Sequence, residues 1–270
     1  MNAGSQDSQT AVTTRRIRLT LAYDGTHYAG WQRQLNGLAV QEVVEDALSR
    51  LLGESIAVTG ASRTDAGVHA LGQTAHFDAV CRIPDHKIPL ALNTLLPMDI
   101  RAVEARTVGE DFHARFHTKA KMYRYWYHNA RVAPVLERGL RWHIPIPLDV
   151  ELMDLEAQSM VGMHDFAAFA ASGSKVKTTV RTVESVCVMR LAHDPSLIEL
   201  TIRGNGFLYN MVRILAGTLA DVGSGKREPG AIERAIRSGN RLELGQTAPP
   251  HGLTLMRVEY AIDEDGKADS

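Results

Sequence analysis

The apolar patterning of this chain changes period repeatedly, and that constrains the fold more than any other feature. Segments that alternate polar and apolar residues, as half-buried strands do, are interrupted by segments with apolar residues three and four apart, as on a helix face. Arg16 to Tyr23 alternates, Asp24-Gly25 turns the chain, and Thr26 to Gly37 is a polar loop carrying Tyr28, Trp31 and Arg33. From Val40 the spacing is helical: Val40, Val43, Val44, Ala47, Leu48 and Leu51 share one face, and Gly53 stops the helix. A strand over Ile56 to Ala61 follows, then one over Gln73 to Phe77. Ile88 to Leu95 reads as a helix ended by Pro97, and Ile100 to Ala105 as a strand closing the first unit.

The second half repeats this plan without a residue-level repeat. Lys119 to His128 alternates, with Tyr123, Tyr125 and Tyr127 on one face. Leu148 to Val161 is helical with Gly162 after it, and Ala170 to Thr178 has the composition of a flexible segment. Val180 to Leu191 and Leu197 to Ile202 pair around a turn at Asp194-Pro195. Phe207 to Val222 is an apolar helix, Pro229 to Ser238 a shorter one, and Leu255 to Tyr260 a last strand. Runs of strand with occasional helices predict an α+β fold with antiparallel sheets. The expected boundaries are a tail over 1–15, lobes over 16–110 and 111–262, and a second tail over 263–270.

Composition narrows the function classes. No apolar run is long enough to span a membrane, and the polar start from Met1 to Thr14 lacks the apolar core of a secretory signal. Cys81 and Cys187 are too few for a disulfide framework or a Cys-rich zinc site, so a reduced, cytoplasmic protein is expected. With 30 Lys+Arg against 31 Asp+Glu, a nucleic-acid ligand requires cations segregated onto one surface. Three clusters offer this: Arg15, Arg16 and Arg18; Lys119, Lys121 and Arg124; Lys175, Lys177 and Arg181. Each reads equally as a solvated face.

Chemistry concentrates in Arg63-Thr64-Asp65-Ala66-Gly67-Val68-His69-Ala70. In extended backbone, residues two apart point to the same side, so Arg63 is expected to face Asp65 and favour its ionised form. An ionised, oriented carboxylate is a potential nucleophile. The plainer reading of Asp65 is a turn former or helix cap. Gly60 and Gly67 are the residue type needed where a ligand or another backbone comes close.

Tyr123, within Lys121-Met122-Tyr123-Arg124-Tyr125, places an aromatic beside cations, as in proteins that stack unpaired bases. A tyrosine stripe facing the core is the alternative, strongest for Tyr125 and Tyr127. Arg213 lies in an apolar helix preceded by Gly204-Asn205-Gly206, so its guanidinium either reaches solvent or pairs with an acid or anion. His113 and His117 are four apart but lack a third metal ligand. His69, His76 and His251 read as hydrogen-bonded structural residues. Gly223-Ser224-Gly225-Lys226 lacks the strand and spacing of a phosphate-cradling loop, so neither a metal nor a nucleotide cofactor is indicated.

Six stretches in order carry a resemblance. They are Tyr23 to Gln34 with Val40-Gln41, Arg63 to Ala70, Asp111 to Phe116, Tyr123-Arg124-Tyr125, Gly204 to Arg213, and Ala248 to Leu253. From Ile17 to about Tyr260 the chain resembles the tRNA pseudouridine synthase A family. The resemblance implies two α/β lobes whose antiparallel sheets join into one long central sheet, with the active cleft between the lobes. It implies a cofactor-free homodimer that isomerises uridine to pseudouridine at positions 38, 39 and 40 in the anticodon arm of tRNA. Asp65 falls on the family's nucleophile, Arg63 and Arg213 on arginines flanking it, and Tyr123 on the tyrosine that stacks on the target uracil. Whether Asp65 attacks C1′ or C6, or assists formation of a glycal, stays open. Ser62 stands where the family often has Gly, and Thr254 where a larger residue is usual. A non-catalytic RNA-binding protein and a metal-dependent hydrolase using His113 and His117 are the rival readings.

Overall fold

A computed structural model of the chain describes residues 14–170 and 177–261. Among the described residues ten strands, β1 (Arg15–Tyr23), β2 (Thr59–Gly60), β3 (His69–Ala79), β4 (Ile100–Val108), β5 (Thr118–His128), β6 (Trp142–His143), β7 (Gly162–Asp165), β8 (Val180–Arg190), β9 (Leu197–Gly204) and β10 (Leu253–Tyr260), form one continuous sheet. Five α-helices of the described residues accompany it: α1 (Val40–Leu52), α2 (Ile88–Leu92), α3 (Val150–Ala157), α4 (Met211–Gly223) and α5 (Ala231–Ser238). The α+β class with one long sheet is as expected. Met1–Thr13, most of the Ala170–Thr178 segment and the expected 263–270 tail lie outside the described residues, whereas Arg15 already belongs to β1.

The sheet runs β4-β1-β3-β10-β5-β9-β8-β7, with β2 on β3 and β6 on β5. Neighbours from the same half of the chain pair antiparallel along this path, and of the same-half pairs among the described residues only the two-residue β6 lies parallel to its partner, β5. The halves meet where β10, the last strand, returns beside β3 in parallel, with Thr254 opposite His69 and Leu255 opposite Ala70. That seam brings the start of β3, just after Arg63–Val68, close to β5 and its tyrosines, because β10 also pairs with β5.

Local chemistry explains the elements. Helix α1 buries Val40, Val44, Ala47 and Leu48, and Gly53 ends it at φ 75°, its N–H on the Ser49 carbonyl. A left-handed residue after the last turn is where glycine is favoured. In α4 every residue but Arg213 is buried, as expected of a helix apolar on all sides. Tyr127 anchors it, donating its hydroxyl to the Ala216 carbonyl at 2.9 Å.

Several expected elements differ. The strand over Ile56 to Ala61 shrinks to Thr59–Gly60, because side chains of α1 take the backbone groups a strand would pair. Ser49 Oγ accepts from the Ile56 N–H, Glu45 Oε1 accepts from the Val58 N–H, and Gln41 Nε2 donates to the Val58 carbonyl. The apolar helix starts at Met211 rather than Phe207, since Asn210 takes left-handed φ 63°. Gly204-Asn205-Gly206 therefore does not sit at the helix N-terminus. Asn205 instead extends the β8–β9 pairing, accepting from the Thr182 N–H through Oδ1. Gly162 opens β7, a short strand that the sequence pattern does not reveal.

Candidate active site

Asp65 sits in the loop between β2 and β3, and its side chain is 10% exposed. The loop has little regular structure of its own, yet almost every group in it is held. Gln73, fully buried in β3, brackets Ser62: Oε1 accepts from the Ser62 N–H at 3.2 Å and Nε2 donates to the Ser62 carbonyl at 2.6 Å. The Tyr23 and Thr64 hydroxyls share a hydrogen bond at 2.8 Å. The Trp31 N–H donates to the Thr64 carbonyl, and the Ala61 N–H to the Thr74 carbonyl. Gly30, at φ 92°, passes so close that an added Cβ would come 2.5 Å from the Thr64 carbonyl oxygen. Past Asp65 the chain turns through Gly67 at φ 77°, with the Val68 N–H on the Asp65 carbonyl. Gly60 makes room for the Trp31 indole rather than for a ligand.

This turn corrects the expected pairing of Arg63 with Asp65. Residues 61–68 lie outside the regular strands, between Gly60 of β2 and His69 of β3, so no strand ladder holds Arg63 and Asp65 to one side. Arg63 is exposed and, among the described residues, makes no hydrogen bond or ion pair. The partner is Arg213, from the first turn of α4. Its Nη1 donates to Asp65 Oδ2 at 3.2 Å and to Asn210 Oδ1 at 2.8 Å, and its Nε donates to the Ala248 carbonyl at 2.8 Å. Three acceptors thus fix the guanidinium plane that faces the carboxylate. Burial pushes the Asp65 carboxyl above the ordinary aspartate range, and Arg213 opposes that push without cancelling it. The Asp65 carboxyl is therefore less readily ionised than the sequence implies.

Tyr123 is buried on β5, and its hydroxyl meets Ser62 Oγ at 2.7 Å. Phe207 packs against its ring edge to face, with centroids 5.3 Å apart. Burial, with Asp65 nearby, pushes the phenol up to about 12, so it stays protonated at neutral pH. Tyr125 and Tyr127 are core residues, as the alternative reading held; Tyr125 donates to the Pro249 carbonyl at 2.9 Å. The loop and the two regular elements therefore converge: Asp65 meets Arg213, and Ser62, three residues before Asp65, meets Tyr123.

Histidines singled out in the sequence serve as hydrogen-bond partners of the backbone. His69 accepts from the Gly25 N–H, His76 from the Ala114 N–H and His117 from the His113 N–H. Among the described residues no cluster of three His, Cys, Asp or Glu side chains is arranged to hold a metal ion. None of the helices described is long and apolar enough to cross a membrane. An open groove of about 740 Å³ between α3 and β8 shares no lining residue with this site.

Of the basic clusters, the first is engaged by the protein's own acids: Arg15 pairs with Asp85 and Arg16 with Asp78. Arg124 faces Glu199 and lies over Trp126. Lys175 lies outside the described residues. Sequence reasoning missed Gln73, Asn210 and the Ser62–Tyr123 contact. A glutamine at a strand position with apolar neighbours was the available signal for Gln73, since buried polar side chains need partners.

A sequence model of the family described as tRNA pseudouridine synthase matches residues 20–117 and 157–261, well over half of the chain. The chain belongs to that family. Its matched stretches include Arg63, Asp65 and Arg213, while Tyr123 lies between them. The tRNA pseudouridine synthase A of Ruminiclostridium cellulolyticum is 47% identical over 246 residues, covering 91% of this chain and all of that protein. The protein of the same name from Bacillus licheniformis is 45% identical over 247 residues, 91% of this chain and 99% of its own. That from a Thermoanaerobacter species is 44% identical over 246 residues, again 91% of this chain and all of its own.

Proposed function

We propose that this enzyme isomerises uridine to pseudouridine in the anticodon stem-loop of tRNA, at positions 38, 39 and 40, with Asp65 as nucleophile. The observation that carries the reading is the Asp65–Arg213 pair at 3.2 Å, formed by a loop of one half of the chain and a helix of the other. The C1′–N1 glycosidic bond breaks, the uracil turns over in the pocket, and C5 bonds to C1′. C5 loses its hydrogen to solvent and N1 gains a proton, so no redox or hydrolytic balance is left over. Asp65 forms the covalent adduct, and Arg213 favours its ionised form against burial. Tyr123 holds the extruded base; its raised phenol favours stacking and hydrogen-bond donation over proton abstraction. Arg63, exposed at the loop surface, is suited to entering the RNA stack as the base leaves. Flipping costs a few kcal/mol, least where the nucleotide is already in a loop. The reading includes a cytoplasmic homodimer with its cleft between lobes over 16–110 and 111–262.

The test uses anticodon stem-loop transcripts carrying tritium at uridine C5. Release of label is expected from uridines at positions 38 to 40, and no release when those three positions hold cytidine. Equal release from uridines elsewhere in the arm overturns the assignment of position.

A further inference from the structure

Among the described residues, three cations beside the Asp65 site have no carboxylate partner. Lys121 extends the Tyr123–Tyr125–Tyr127 face of β5 by one more inward position, and its Nζ donates to the Ala61 carbonyl at 2.7 Å. Ala61 adjoins Ser62, the Tyr123 partner. Among the described residues Arg181, on β8, donates to the carbonyls of Thr178 and Val180, and its Cδ and Nε lie along Gly206, next to Phe207. Arg115 is exposed on the loop before β5. Among the described residues no acid pairs with any of the three, and residues 171–176, Ala-Ser-Gly-Ser-Lys-Val, contain none.

The other face of the same strands is different. Arg203 and Arg257, in register with Met122, both pair with Glu259, and Arg203 also pairs with Glu184. Cations there are neutralised within the fold, whereas those beside the pocket are not. Partly buried ammonium and guanidinium groups gathered without a counter-charge are stabilised by an external anion.

We propose that Lys121 and Arg181, with Arg115 at the rim, bind the backbone phosphate adjoining the nucleotide extruded toward Asp65. The proposal rests on the RNA substrate read above and assigns one contact within it. Burial beside Arg115 and Arg181 brings the Lys121 ammonium down to about 8. Asp65, on the loop Lys121 touches, is engaged by Arg213, and the charges of β9 and β10 face away. An arriving phosphate favours the charged amine, so binding above pH 8 takes up a proton at Lys121.

The test is tRNA binding by full-length protein across a salt series, comparing wild type with Lys121→Met, Lys121→Arg, Arg181→Met and the double variant Lys121→Met with Arg181→Met. Each phosphate contact contributes about 0.7 to 0.9 to the slope of log K on log salt. Removing both cations together (Lys121→Met with Arg181→Met) is expected to reduce the slope by that amount, each single substitution by part of it, and Lys121→Arg to preserve it. Calorimetry at pH 8.5 in buffers of different ionisation enthalpy should show proton uptake for wild type and less for Lys121→Met. Weakening by the same factor at every salt concentration, with the slope intact, would mean that Lys121 merely tethers Ala61, and overturns the proposal. Tritium release by wild type is measured alongside: its absence with the slope changes present removes the reaction assigned above and leaves the phosphate contact standing.

Discussion

Asp65 and Arg213 face each other across the site, but their supports are unlike. Arg213 stands on a regular helix whose other residues are all buried, so packing sets its backbone, and the Asn210 side chain and the Ala248 carbonyl orient its guanidinium. Asp65 stands on irregular backbone, and its place depends on buried hydrogen bonds from Gln73, Tyr23 and the backbone beside Gly30. Tyr123 resembles Arg213 in this respect, fixed by its position on a strand inside the sheet. A helix or strand tolerates the loss of one neighbour because the ladder remains. A loop held by side chains does not, since each lost partner strands a buried polar group. The nucleophile is thus the member of the site whose geometry is most sensitive to distant changes.

Among changes to the supports of the nucleophile, removing the helix's contribution should have the largest effect. Arg213→Met is expected to reduce turnover on the order of 10²–10³-fold, the scale for one preorganised electrostatic group. It should also move the acid limb of kcat/KM. Asp65 already titrates above the free aspartate value of about 3.9 because of burial, so wild-type activity is lost as pH falls through that raised value. Without Arg213 burial acts unopposed, and the limb moves to higher pH. An unshifted limb in a pH–rate profile would show that Arg213 does not govern Asp65.

Gln73→Leu probes the loop side. It leaves the Ser62 N–H and carbonyl unpaired in the interior, and urea unfolding should register a loss of about 2–4 kcal/mol. Activity measured well below the unfolding midpoint should fall as well, through kcat more than KM, because the loop carrying Asp65 loosens. A stability loss with unchanged kcat would show the loop to be set by Gly30 and Trp31 alone. Ser62→Ala, which removes the hydroxyl at Tyr123 but no backbone clamp, should cost about 1 kcal/mol. Glu259→Gln, on the face remote from the site, should change stability by no more than about 1 kcal/mol and leave tritium release unaltered.

The same contrast explains what could be read in advance. Helices α1 and α4 and strands β1, β5, β8, β9 and β10 carry strong periodicity, so they were legible to within a few residues, and Tyr123 and Arg213 with them. The six matched stretches, read against a known family, singled out Asp65. The resemblance placed both Arg63 and Arg213 beside it, and what was not legible is that, of the two, Arg213 makes the ion pair. Arg63 is adjacent in sequence, whereas Arg213 arrives only through the parallel seam of β3 and β10 and the left-handed turn at Asn210. Pairing across such distances comes from tertiary assembly, and no local pattern encodes it. The short strands β6 and β7 and the truncation of the Ile56–Ala61 strand were hidden for the same reason: side chains of α1 and neighbouring strands decide them.

The most direct measurement compares wild type with Asp65→Asn in single-turnover tritium release from C5-labelled tRNA, with tRNA affinity determined in parallel. Because burial disfavours the ionised carboxyl, the amide should fold at least as stably at neutral pH. The account predicts that affinity stays within a few-fold while release falls on the order of 10⁴-fold or more, the scale of losing a nucleophile. Release by Asp65→Asn at a rate near that of wild type would contradict it.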